Sequence, residues 1–182
     1  MTPLVTISNR QRGQRVDLRL LRRIAQTLLA ELLQIESADL GICLVAASEM
    51  TQLNETFLRH QGPTDVVTFD YTDHAGRRSR PAVSKRKKNG NRQDACAMVH
   101  GEIFICLDEA FLQARRFRTS WQSEIVRYLT HGVLHLVGHD DSGNRERRKM
   151  KREESRLLRE LSRRFSLAQL ARADKLSRCK NH

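Results

Sequence analysis

The stretch 131-HGVLHLVGHDD-141 decides how this chain is to be read. On an α-helix, residues four apart project from one face, so His131 and His135 present two imidazoles to a common point. Gly138 is the residue type that accepts the left-handed conformation ending a helix, which lets the chain turn back and bring Asp141 toward that point. Two nitrogens and one carboxylate oxygen suit zinc. Three protein ligands leave a fourth position for water, the arrangement of a catalytic rather than a structural site. A water so placed ionises near neutral pH, so the expected chemistry is hydrolysis. His139 is an alternative third ligand, although it follows Gly138 immediately. Asp140 is a candidate catalytic residue, to orient a ligand histidine or to shuttle a proton; it reads equally as a surface residue at a helix terminus.

Working outward, helical periodicity runs from Ser120 to Val137 and from about Asp108 to Phe117. A basic helix follows Asn144 to about Phe165, with Leu157, Leu158 and Leu161 as a narrow apolar edge. Upstream, Leu4–Ile7, Leu40–Ala47, Val66–Phe69 and Gly101–Cys106 are apolar, β-compatible runs that predict four strands. Leu21, Ile24, Leu28 and Leu32 recur at three- and four-residue steps, predicting a helix that covers the sheet; a short helical stretch begins near Glu49. The segment from Thr72 to Asp94 is polar, basic and rich in Gly, Ser and Asn, and predicts a flexible insertion. The expected organisation is one domain over residues 1–165, interrupted at about 72–94, with residues 166–182 as a disordered tail.

The 182 residues are enough for one core, and 39% are hydrophobic. A formal net charge of +12 points to a polyanionic partner such as nucleic acid. That charge is local. Arg77 to Arg92 holds eight Lys or Arg and no acid; Arg145 to Arg164 holds ten against four acids. The rest of the chain nets −2. The four cysteines form no CxxC pair and read as reduced thiols. No run approaches the roughly 20 apolar residues of a membrane span, and the start, MTPLVTISNRQRG, lacks the apolar stretch of a signal peptide, so a cytoplasmic protein without a membrane partner is expected.

The spacing resembles the extended zincin signature, but Gly132 stands where a metallopeptidase of that kind has its glutamate base, which argues against peptide hydrolysis. Taken together with Leu53-Asn54, with Thr64-Asp65-Val66-Val67-Thr68-Phe69 and with Gly101-Glu102-Ile103, the stretch is similar to the YbeY family of bacterial metal-dependent endoribonucleases. The resemblance spans roughly half the chain. It implies an α+β fold: a mixed sheet of about four strands with helices packed on it and a zincin-like metal-binding helix near a concave face. It also implies a single-strand-specific endoribonuclease with one Zn2+, acting in ribosomal RNA maturation at the 16S 3′ end and in ribosome quality control, with ribosomal RNA and the small ribosomal subunit as partners. Two positions depart from the family pattern. Aspartate stands at 141 where the family has a third histidine. Leu58 occupies the place of the family's arginine, with Arg59 beside it as the candidate to stabilise the charged transition state. The rival reading is a ribosome-associated RNA-binding protein whose metal is structural.

Overall fold

In a computed structural model of the chain, residues 3–58, 61–72, 80–81 and 98–172 are described. Strand β1 (Leu4–Asn9) leads into α1 (Leu18–Thr27), which continues through a π-helical turn (Leu28–Leu32) to β2 (Ala38–Val45). Asp17 caps α1 by accepting the amides of Arg19 and Leu20. A short helix α2 (Ala47–Leu53) and a second π-helical turn (Asn54–Leu58) precede β3 (Val66–Asp70). Then come β4 (Arg80–Pro81), β5 (Val99–Cys106), α3 (Leu107–Phe117), α4 (Trp121–Leu136) and α5 (Asn144–Arg164).

The sheet order is β1-β2-β5-β3-β4. β1, β2 and β5 run parallel, and β3 runs antiparallel to both β5 and β4. The four predicted strands are therefore the body of a mixed sheet, with the two-residue β4 at its edge. The fold is α+β as expected. β4 falls within the predicted insertion; the remainder of that insertion after Thr72 lies outside the described residues.

Alternation along the strands divides the core. Leu40, Ile42, Leu44, Ile103 and Ile105 point to the face covered by α1 and α4, where Leu21, Ile24, Ile125, Leu129 and Val133 are wholly buried. Cys43, Val45, Val67, Phe69, Phe104 and Cys106 point to the other face and pack with Met50 of α2. α5 adds Met150, Leu157 and Leu161 to the first face.

The chain stays ordered past residue 165. Leu167–Leu170 forms a 3-10 turn, Leu170 is buried, its carbonyl accepts the Asp17 amide, and Ala171 bridges to Val16. The tail expected from 166 is thus corrected at its start, because Leu170 finds an apolar seat; residues 173–182 lie outside the described residues.

Candidate metal centre

α4 begins at Ser120, whose hydroxyl accepts the Ser123 amide. The helix lies against the sheet so closely that a Cβ on Gly132 would come within 2.9 Å of two carbons of Ile103 and 3.1 Å of the Thr68 hydroxyl. With the Gly132 side of α4 sealed, His131 and His135 lie at the partly open edge. The helix ends as the glycine predicted. Gly138 adopts φ +89°, its amide donates to His135 O and the His139 amide donates to Leu134 O, a Schellman termination.

The reversed chain then serves the site twice. The His139 carbonyl accepts from Nδ1 of His135 at 3.2 Å, and Asp141 joins His131 and His135 in a cluster whose ligand atoms all lie within 4.8 Å of one another. His139 contributes its backbone to the centre, and its side chain is outside the cluster.

His131 is held from α5. Its Nδ1 lies 3.0 Å from Oε2 of Glu154, a buried carboxylate whose Oε1 is 3.6 Å from Arg127; Arg127 in turn pairs with buried Glu124 at 3.2 Å. The partners of both Nδ1 atoms are acceptors, a carboxylate and a carbonyl, so in the neutral rings both Nδ1 atoms carry the hydrogen and both Nε2 atoms present lone pairs. Those two Nε2 atoms face each other at 3.1 Å. Two lone pairs converging at that distance call for a cation between them. Tetrahedral zinc with bonds of about 2.0–2.1 Å would set two ligand nitrogens about 3.3 Å apart, so the residues fit such an ion. The ring environments differ. Burial depresses protonation of His131, but the hydrogen-bonded Glu154 carboxylate and the charges of Asp65 and Asp141 outweigh it and raise its pKa. Burial and the neighbouring His131 lower that of His135.

Glu154 is the residue that motif reading missed. It sits on a helix that reads as basic, but Met150, Glu154, Leu157 and Leu161 share one face at helical spacing, and an acid on a buried stripe signals a buried partner. Asp140 lies in the turn that follows α4. Its carboxylate accepts from the amide and hydroxyl of Ser142, which holds its pKa below the usual range, and the orienting contacts on the histidine rings come from Glu154 and the His139 carbonyl. Buried Asn54 donates to Gly62 O at 2.6 Å and closes the loop that leads into β3. Thr64 donates to Asp65 at the start of that strand. Arg59 lies outside the described residues.

A mixed sheet backed by a helix that carries the His-His pair of a His-His-Asp cluster defines an α+β protein with one candidate metal centre among the described residues. The sequence profile of the family Endoribonuclease YbeY matches residues 6–162, and the chain belongs to that family. An Endoribonuclease YbeY from Parabacteroides distasonis is 30% identical over 130 residues, covering 71% of this chain and 76% of its own length. One from Syntrophotalea carbinolica is 27% identical over 164 residues, covering 89% and 98%. A solution structure of a Thermotoga maritima protein, 22% identical, aligns over 96% of this chain and 100% of its own with a TM-score of 0.60, which supports the fold. Among the described residues, no helix is long and apolar enough to cross a membrane.

Proposed function

We propose that this chain is a zinc-dependent endoribonuclease that cuts single-stranded RNA, with His131, His135 and Asp141 as the metal ligands. The observation that carries the reading is the pair of converging Nε2 atoms, each fixed by an acceptor on its own Nδ1, with Asp141 alongside. A divalent cation held there supplies Lewis acidity toward a phosphate or a water. The protein's own residues then do the positioning. Glu154 holds the His131 ring through Nδ1, and the His139 carbonyl holds that of His135. Asp140 binds Ser142 and so fixes the turn that delivers Asp141; it is a positioning residue. Arg59, next in sequence to the π-helical turn Asn54–Leu58, is assigned to the developing charge on the phosphate.

The family to which the chain belongs points to RNA as substrate, and the names of its relatives point to internal cleavage. Within that class we assign it to ribosomal RNA maturation at the 16S 3′ end and to ribosome quality control in the cytoplasm, with the small ribosomal subunit as partner. The chain acts as one domain in this reading, with Leu167–Leu170 part of it.

The test is metal content and cleavage measured together. Purified protein with one equivalent of zinc is expected to cut unstructured RNA, and His131→Ala and His135→Ala are expected to lose both metal and cleavage. Intact RNA after incubation with the zinc-loaded wild type, or undiminished cleavage by either variant, would overturn the assignment. Asp141→His, which restores the family's usual ligand, is expected to keep the metal.

A further inference from the structure

The face of α5 turned away from the core carries Arg145, Arg148, Lys149, Lys151, Arg152 and Arg159 along one open groove, and all six are exposed. At 100° per residue most of them fall opposite the buried stripe of Met150, Glu154, Leu157 and Leu161. The helix segregates its charges. Three of its four carboxylates are engaged elsewhere: Glu153 with Arg156, Glu160 with Arg163 and Glu154 with His131 and Arg127. Among the described residues, no carboxylate forms an ion pair with Arg145, Lys149, Lys151, Arg152 or Arg159. A rise of about 1.5 Å per residue makes this row of cations about 21 Å long.

We infer that this row is a docking rail for the phosphate backbone of base-paired RNA, distinct from the strand that is cut. The inference rests on the proposed activity toward RNA and adds to it the shape of the substrate. Surfaces for single strands combine cations with aromatic rings on which bases stack, and among the described residues no aromatic ring lines this groove. Guanidinium and ammonium groups set out along a straight helix match a backbone of regular spacing, and base-paired RNA is held mainly through its phosphates and sugars. A basic amphipathic helix also suits an anionic membrane surface, but here the apolar side of α5 is spent in the core, with Met150, Leu157 and Leu161 all buried, so nothing remains to insert.

The same helix joins the rail to the metal centre. Its Glu154 holds His131, and in its first turn Arg147 Nε donates to the Asp141 carbonyl at 3.2 Å. A duplex on the outer face is therefore held about one helix diameter, roughly 10 Å, from the site of cleavage. An unpaired strand leaving that duplex would be cut at a constant short distance from the last base pair.

The experiment is fluorescence anisotropy at 4 °C with the zinc-loaded full chain, over a range of salt, and with RNA integrity checked on a gel. One probe is a hairpin of about 12 base pairs, longer than the 7 or 8 that about 21 Å spans in an A-form duplex, bearing a 3′ single-stranded tail; the second is the tail alone. The triple variant Arg148→Gln, Arg152→Gln, Arg159→Gln is expected to lose hairpin affinity on the order of 30-fold and to make the salt slope shallower by about 2 to 3. Its affinity for the tail alone is expected to fall by less than about threefold. The corresponding Arg→Lys triple variant is expected to stay within about threefold of wild type on the hairpin. Circular dichroism melting verifies the fold of both.

An unchanged hairpin affinity and salt slope would overturn the inference. So would equal losses on hairpin and tail, or a lysine variant as weak as the glutamine one. A failure here leaves cleavage of unstructured RNA untouched, whereas inactivity of the zinc-loaded wild type leaves these affinities standing.

Discussion

Replacing Glu154 separates a residue that holds the metal centre from one that merely fills space. Its Oε2 lies 3.0 Å from Nδ1 of His131, and it is the side-chain acceptor for that ring. Glu154→Gln keeps the shape and leaves an amide oxygen to accept from Nδ1, but removes the negative charge that makes the imidazole a better donor to a cation. Glu154→Ala removes the acceptor as well, leaving a half-buried N–H unpaired and the ring free to rotate. Partners of this kind are worth about 10- to 100-fold in metal affinity. The glutamine variant is placed near the lower limit, about 1.4 kcal/mol, and the alanine variant near the upper, about 2.7 kcal/mol. Arg127 also pairs with Glu124, at 3.2 Å, so neither variant strips this half-buried cation of its anion. Competition for zinc against a chromophoric chelator at constant pH reads the affinities, with thermal melting as the control for folding. An alanine variant that binds zinc within about threefold of wild type would refute the reasoning, because the contact would then orient nothing.

Gly132→Ala places a methyl 2.9 Å from two carbons of wholly buried Ile103. Overpacking of about 1–3 kcal/mol, offset by about 1 kcal/mol of helix propensity, leaves an expected net loss of about 0–2 kcal/mol in urea unfolding. Gly138→Ala forces a side chain into φ +89° and is expected to cost about 1–2 kcal/mol, with weaker zinc binding because the turn delivering Asp141 shifts. Burial raises the Cys106 thiol to about 11, so less than about one in a hundred molecules carries the thiolate at pH 8. Peptide mapping after brief alkylation should find Cys106 unmodified until the protein is denatured.

The metal-binding turn was legible because each of its parts is local. His131 and His135 need only the helical repeat to meet, and Gly138 needs only its own φ to end the helix. The four long strands showed as short apolar runs for the same reason. The contact between His131 and Glu154 spans 23 residues and depends on how α5 packs, which no window of sequence encodes. The order that puts β5 between β2 and β3 is likewise a tertiary choice. Leu167 and Leu170 were hidden by brevity: one turn between polar neighbours carries no periodic signal, and its order comes from a seat formed by Val16, Asp17 and the core.

The closeness of Gly132 to the sheet also limits what this scaffold can become. A glutamate at 132, the position of the base in metallopeptidases that share the spacing, would have to drive its side chain between Ile103 and Thr68, into the layer where α4 and β5 touch. No single substitution converts this centre to that chemistry. Acquiring it would require lifting α4 off β5 and rebuilding the contact beneath, so the two kinds of hydrolase are separated by a layer of packing, although their metal-binding signatures differ by one letter on the helix.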